Sequence, residues 1–268
     1  MTAFTSRFRL FRTVASLGLP LLTWLLLPTE AVSAPLQQTL QLVAAVDNQR
    51  TVEVPHPRGH NPLTSSENNR GKQIADASDL VKRARARAAS RSRPPGTERL
   101  AAVQLLYAQR HDDKNAPGAR KAEVRYFDYT TSESIRAVVD LNSNTVQETQ
   151  VLRGVANQSF TTGLETETVL QLILNDPQQG PRLRKAFLET MGRPLDNVSQ
   201  LNADSGIFFP DSVAGTPLGA VTVGCAQDRC IQIFPIGDTG IIDMSKVVVD
   251  LTTGKVLSDG EGIIWQTR

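Results

Sequence analysis

Four places in the chain carry residue types that do chemistry elsewhere in biology. His56-Pro-Arg-Gly-His60 has the spacing of a helical metal pair, and His111-Asp112-Asp113 gathers three groups able to hold a cation. Asp238-Thr239-Gly240 has the triplet of an aspartic protease, and Cys225-Ala-Gln-Asp-Arg-Cys230 sets two thiols a short loop apart. Each needs a particular element beneath it. Pro57 and Pro62 forbid the helix that His56 and His60 would need, so that pair reads as linker. His111 to Asp113 reads as a polar hairpin tip. Gly237 stands where the protease triplet wants an apolar strand residue, and Ile241 follows in place of Ser or Ala, so Asp238 to Gly240 reads as a turn. The chain has no Gly-x-Ser-x-Gly, no phosphate-cradling Gly loop and no pair of Cys-x-x-Cys units.

The cysteines are the most informative of these groups. A four-residue loop between two strands would bring Cys225 and Cys230 opposite each other, and an oxidising compartment would then join them. Two buried free thiols are the alternative, and a two-thiol metal site with no nearby His is a third. Closing so short a loop contributes only about 2 kcal/mol of chain entropy, so the bridge is expected to pin local structure and little more.

The start of the chain suggests that compartment. Arg7, Arg9 and Arg12 precede an apolar run over 14–27 that Pro28 ends, and small residues follow at signal-peptidase spacing, Ala31 and Ser33 or Thr29 and Ala31. A Sec-type signal peptide over 1–33 is the reading, with a periplasmic or extracellular product, and an uncleaved anchor is the alternative. The net charge of +2 divides unevenly, 14 Lys/Arg against 7 Asp/Glu in residues 1–100 and 15 against 20 in the rest. From 34 to 97 the composition is that of a linker, polar and proline-bearing, with nothing expected to pack a core.

Within that linker, 76–90 has a helical stripe of Leu80, Val81, Ala84 and Ala88 behind an Asp76 or Ser78 cap. Its other faces carry Lys82, Arg83, Arg85 and Arg87, and Arg91 and Arg93 follow. Such a basic patch suits peripheral contact with an anionic membrane surface or with nucleic acid. Export argues against nucleic acid, and a solvated helix face is the plain reading.

After Gly96 the pattern turns to strands: 99–109, 122–129, 134–141 and 145–152, β-branched and aromatic, broken by Asp, Asn, Gly and Pro. Ile135, Ala137, Val139 and Leu141 alternate with polar neighbours, the mark of an antiparallel meander with one buried face. Helical spacing returns over 166–175 and again from Pro181 to a stop at Gly192. Strands are expected at 219–224, 230–235, 244–251 and 255–257. The order is helix then strands, twice. A near-repeat supports it, since Val-Val-Asp140-Leu-Asn-Ser-Asn144-Thr-Val146 returns, about one small domain later, as Val-Val-Asp250-Leu-Thr-Thr-Gly254-Lys-Val256. Asn144 and Gly254, at matching positions, are the residue types that most readily enter the left-handed conformation of a tight hairpin.

These phrases carry a resemblance. Lys121-Ala-Glu-Val-Arg-Tyr-Phe-Asp-Tyr-Thr-Thr with Ile135-Arg-Ala-Val-Val-Asp-Leu resembles the second N-terminal domain of copper amine oxidases. Val169-Leu-Gln-Leu-Ile-Leu-Asn-Asp-Pro, the helix ending at Gly192 and Val247-Val-Val-Asp-Leu-Thr-Thr-Gly-Lys-Val resemble the third. The resemblance covers roughly 98–258 and implies an α+β chain of two cystatin-like domains, each a helix packed on an antiparallel sheet, over 98–158, with or without the 76–90 helix, and over 159–268. Gln109-Arg-His-Asp-Asp-Lys stands in place of the family's usual ending after its first strand.

The same resemblance implies no catalysis on this chain. The family's oxidase domain makes a quinone from the Tyr of an Asn-Tyr-Asp/Glu motif and binds copper through three His, two as His-x-His. Here His56, His60 and His111 include no His-x-His, and neither Tyr126 nor Tyr129 follows Asn. The expectation is an exported, non-catalytic module with no cofactor, no metal and a protein or peptide partner. The alternative is an accessory component that serves, in trans, an amine oxidase whose catalytic domain is on another chain. Export itself is directly testable: mass spectrometry of the secreted or periplasmic product should find a mature chain that starts near Val32 or Ala34, and membrane-bound protein with an intact Met1 would contradict it.

Overall fold

The computed structural model describes residues 61–114, 116, 118–235 and 240–267. The expected signal peptide and the His56/His60 pair lie outside them, as do Asp238 and Thr239. The fold is α+β, with two four-stranded antiparallel sheets and helices that precede each one.

Core packing is found upstream of the first sheet. Residues 61–97, expected as linker with one helical segment, hold two helices: α1 (Ser65–Asp76) and α2 (Asp79–Ala89). The reading of this stretch as free of core packing is therefore corrected. A capping box starts α1, since the Thr64 hydroxyl accepts from the Glu67 N–H at 3.2 Å and the Glu67 carboxylate accepts from the Thr64 N–H at 2.8 Å. Ser78 caps α2. The apolar signal of α1 is faint because it buries only Gly71 and Ala75. Small size is the point: a Cβ at Gly71 would come within 2.8 Å of the Ala122 Cβ, so the bare glycine lets the helix lie directly on the sheet. Val81, Ala84 and Ala88 of α2 join the same core.

The first sheet is a meander of β1 (Val103–Arg110), β2 (Lys121–Asp128), β3 (Glu133–Asp140) and β4 (Thr145–Arg153), each antiparallel to the next. Strand alternation puts Ala122, Val124, Tyr126, Ile135, Ala137 and Val139 on the helix side, all buried. Glu123, Arg125 and Arg136 consequently point the other way.

The second half repeats the plan. Its helices are α3 (Gly163–Asn175) and α4 (Gln179–Met191), the latter stopped at Gly192 in the left-handed conformation with φ 66°. Its sheet has the order β5 (Ala203–Ile207), β6 (Cys230–Pro235), β8 (Val247–Asp250), β9 (Lys255–Ser258). A separate ribbon pairs β7 (Gly240–Asp243) with β10 (Ile264–Thr267). The core of this half takes in Leu100, Phe127 and Tyr129 from the first half beside Ile173, Leu183, Ile231 and Val249, so the halves share apolar packing.

The repeated phrase is one turn built twice. Asp140 Oδ1 accepts from the N–H groups of Asn142 and Ser143 at 2.8 and 3.1 Å, and Asp250 Oδ1 accepts from those of Thr252 and Thr253 at 2.8 and 3.3 Å. Asn144 and Gly254 take φ 57° and 70°. The two differ because the second tip is packed: a Cβ on Gly254 would meet Pro94 Cβ at 2.9 Å. Asn144 is exposed and instead accepts from Arg70 of α1.

Residues 219–224 are not a strand. Thr216 caps a short helix, α5 (Pro217–Val221), and a 3-10 turn follows over Val223–Ala226. The Thr-Pro start is a helix signal that a short apolar run does not override. Cys225 and Cys230 are bonded to each other, but across this turn and the start of β6, not across a hairpin. The bridge holds the 208–226 excursion against the outer face of the second sheet, where Phe208, Leu218 and Val248 pack around it.

Candidate functional site

Both halves contain the same polar lock, in matching positions. In the first, the Arg120 Nε donates to Glu67 Oε1 at 2.9 Å and Nη2 to Oε2 at 2.5 Å. The rest of that guanidinium reaches the carbonyls of Asn61 and Pro62, just ahead of the Thr64 cap. In the second, Arg229 Nε and Nη2 donate to Glu165 Oε1 and Oε2 at 2.5 and 3.0 Å, and the carbonyls reached are those of Ser159 and Phe160, in the same places ahead of the Thr162 cap. Glu165, like Glu67, is the third helical residue of a capping box. Both Args immediately precede a sheet strand, and both backbone carbonyls accept from the Leu that follows the repeated Asp, Leu141 and Leu251.

The copies differ in depth. Side chains of Arg120 and Glu67 are 22% and 26% exposed, whereas those of Arg229 and Glu165 are 0% exposed. The second lock is sealed by the first half: Tyr129 donates its hydroxyl to Glu165 Oε1 at 2.5 Å, and the Arg229 guanidinium lies 5.3 Å from the centre of the Phe127 ring. Burial works to raise the Glu165 carboxyl, but the adjacent Arg229 charge and the bonds from Arg229 and Tyr129 outweigh it and hold it below the usual range. Desolvation and then the Glu165 charge push the Tyr129 phenol well up, so it remains a donor.

Above this lock runs a groove. Among the described residues, β5 is an edge strand paired with β6 alone. Phe208 N donates to Cys230 O, so the even residues face β6 and the N–H and C=O groups of Ala203, Ser205 and Ile207 face outward. One cleft of about 500 Å³ lies along Ser205–Ile207, between Tyr107 and Arg125 of the first sheet and Phe160 and Phe209 of the second half. A second, of about 480 Å³, continues along Ala203–Ser205 towards Leu170 and Val198. Thr161, whose hydroxyl donates to Ser205 O at 3.0 Å, stands where they meet. Phe160 is 87% exposed at the rim. In the cleft wall, Gln158 Nε2 donates to the carbonyls of Gln227 and Asp228, and its Oε1 is buried without a hydrogen bond among the described residues.

Beside the groove, the open face of the first sheet centres on Glu123. It accepts from Tyr107 OH at 2.7 Å, Arg125 Nε at 2.9 Å and Arg136 Nε at 2.8 Å. Burial tends to raise this carboxyl, yet the bonds from Arg136, Tyr107 and Arg125 lower it to about 2. The carboxylate is fully occupied by donors, a framework rather than a poised acid or base.

The residues singled out in the sequence are dispersed. Of the basic patch, Arg85 pairs with Asp76 at 2.7 Å, Arg87 lies 3.4 Å from buried Asp128, Arg91 donates to Thr130 O, and Arg93 stacks over the Tyr129 ring at 4.4 Å. Arg87, Arg91 and Arg93 thus tie the 87–93 stretch to the end of β2 and the turn after it, Arg85 ties α2 to α1, and Lys82 and Arg83 face solvent. His111 lies 3.5 Å from Glu123, while Asp112 and Asp113 pair with Arg110 and Lys121. Among the described residues, no group of three or more His, Cys, Asp or Glu is placed to share a metal ion. The locks themselves left a signal in the sequence: Thr-x-x-Glu occurs at 64–67 and at 162–165. The Arg that pairs with each Glu lies far along the chain and left none.

Two measurements test the locks. Arg229→Met strands a buried carboxylate and should cost about 3–5 kcal/mol in urea unfolding, against about 1 kcal/mol for Arg120→Met at the part-exposed copy; equal losses would refute the asymmetry. The pH profile follows from the depressed carboxyls. Bonds from Arg120 hold Glu67 at about 2, Glu123 is also at about 2, and Glu165 is lowered. Depressed folded-state values mean that their stabilisation is present above the unfolded carboxyl range and lost as pH falls from about 4.5 towards 2. Asp250, raised by burial, acts in the opposite sense. The melting temperature should hold from pH 7 to 5 and drop below about 4.5; a midpoint at pH 3 equal to that at pH 7 would contradict this.

Set against known proteins, the chain matches no family model and no curated protein sequence.

Proposed function

We propose that this protein is an exported, non-catalytic binding module of two cystatin-like units, which takes an extended segment of a partner protein along the β5 edge. The observation that carries the reading is the outer edge of Ala203–Ile207, which among the described residues pairs with no second strand and has only its Ser205 carbonyl met, by the Thr161 hydroxyl, in a groove whose rim presents a phenylalanine exposed by 87%. An extended peptide satisfies outward N–H and C=O groups by adding a strand, and its alternate side chains enter the flanking clefts. Apolar contact at Phe160, Ile207 and Phe209 then supplies affinity. The disulfide supports an export compartment. The resemblance to N-terminal domains of copper amine oxidases, which stand beside that family's catalytic domain, suits a non-catalytic role.

The test uses the mature protein to select from a displayed library of random peptides and to capture partners from its own compartment. Selected peptides should be uncharged, β-prone and bound as strands. Phe160→Ser should weaken their binding by about tenfold or more with stability changed by no more than about 0.5 kcal/mol, as expected of so exposed a residue. Binding untouched by Phe160→Ser would remove the groove from the reading. Hydrogen peroxide released from a primary amine only when a second polypeptide is added would select the in-trans amine oxidase role.

A further inference from the structure

The groove wall over 158–162 joins the 3-10 turn after β4 to α3 and has no regular structure of its own. Something else must hold it. Arg229 grips it at two carbonyls, Nη1 to Ser159 O at 3.2 Å and Nη2 to Phe160 O at 3.0 Å. Glu165 grips it from below, because its Oε2 accepts the Thr162 N–H at 2.8 Å. These are the same two residues that form the buried lock. The lock's third member comes from the other half: Tyr129 follows β2, its own N–H donates to Ala102 O at 3.0 Å, and its ring is held edge-on by Phe127 and faced by Arg93.

We infer that Tyr129 is a positioning residue for the groove: through its hydroxyl on Glu165, the first half sets the 158–162 wall and thereby the binding competence of an edge that belongs to the second half. This rests on the groove's being the binding site. The internal repeat supplies the comparison. Glu67 and Arg120 hold Asn61 and Pro62 with the same bonds, but among the described residues no phenol reaches Glu67, and that copy stays part-exposed. Of the two locks, the second alone is closed by the neighbouring unit, and it has an exposed aromatic, Phe160, on the segment it holds.

Hydrogen exchange of the full mature chain, with the disulfide intact, tests this without any ligand. Tyr129→Phe keeps the ring and removes only the hydroxyl. Amides of 158–166 should then exchange about tenfold faster or more, while those of β2, β3 and α1 keep wild-type rates. Glu67→Gln serves as the matched control and should loosen 61–70 without touching 158–166. Unchanged exchange at 158–166 in Tyr129→Phe would overturn the inference, and so would uniform acceleration across both halves, which is what a purely structural role produces. Peptide binding separates this from the reading beneath it. If Tyr129→Phe loosens the wall but no peptide is bound by the wild type, the groove reading fails and the positioning contact remains. If Phe160→Ser abolishes peptide binding while Tyr129→Phe leaves both exchange and affinity unchanged, the positioning role fails alone.

Discussion

A carboxylate and a guanidinium shut away from water, Glu165 and Arg229, constrain everything arranged around them. Removing either charge from solvent costs several kcal/mol, and attraction between the two offsets that cost only when their remaining hydrogen-bonding capacity is met. Here it is met on both sides. The guanidinium serves both carboxylate oxygens and the carbonyls of Ser159 and Phe160, and the carboxylate also accepts the Thr162 N–H and the Tyr129 hydroxyl. Three distant pieces of chain must therefore meet at one point: the start of α3, the entry to β6 and the end of β2. Arg229, Glu165 and the 159–162 backbone all belong to the second half, so an alternative packing of the halves would keep the pair but strip it of the Tyr129 hydroxyl and the Phe127 ring that close it off from water.

The same device in the first half shows what burial adds. Glu67 and Arg120 make the equivalent bonds at the surface, where solvent competes and screening weakens the pair. Equivalent capping boxes, equivalent Args before a strand and equivalent Asp-headed hairpins describe one unit used twice. The copies differ where they meet. Phe127 and Tyr129, at the end of β2, leave their own half and become part of the second core. In the reverse direction, the Gly254 turn of the second half lies against 94–97, so close that only glycine fits.

Covering and exposure follow from the same geometry. On the second sheet, the 208–226 excursion, held by Cys225 and Cys230, spreads Phe208 and Leu218 over the outer face. The β5 edge is met by the Thr161 hydroxyl, and Phe209 of the same excursion lines the cleft beside it. Proteins usually blunt such an edge with charge, proline or a covering segment. This one is flanked by clefts with an apolar rim instead, which is why it, and not the charged open face of the first sheet with its saturated Glu123, is the natural place for a guest strand.

Local chemistry was readable from the sequence wherever a feature depends on neighbours along the chain. The Asp140 and Asp250 turns, the left-handed Asn144 and Gly254, the Ser78 cap, the Gly192 stop and the alternating face of β3 are all short-range consequences of residue type. Even the paired thiols needed only proximity and an oxidising compartment, although the hairpin imagined between them is a helical turn. Tertiary structure decided the rest. Helix α1 has almost no apolar stripe because it touches the sheet through Gly71 and Ala75, and a contact made by small residues writes no periodicity. The basic run read as a solvated helix face, and Lys82 and Arg83 do face solvent, but the partners of Arg87, Arg91 and Arg93, which are Asp128, Thr130 and Tyr129, are remote in sequence and left no signal beside them. Arg229 could not be told from any other Arg, since its role is fixed by Glu165 and Tyr129, both far earlier in the chain. Burial of a charge is a property of the folded neighbourhood, and no residue type announces it.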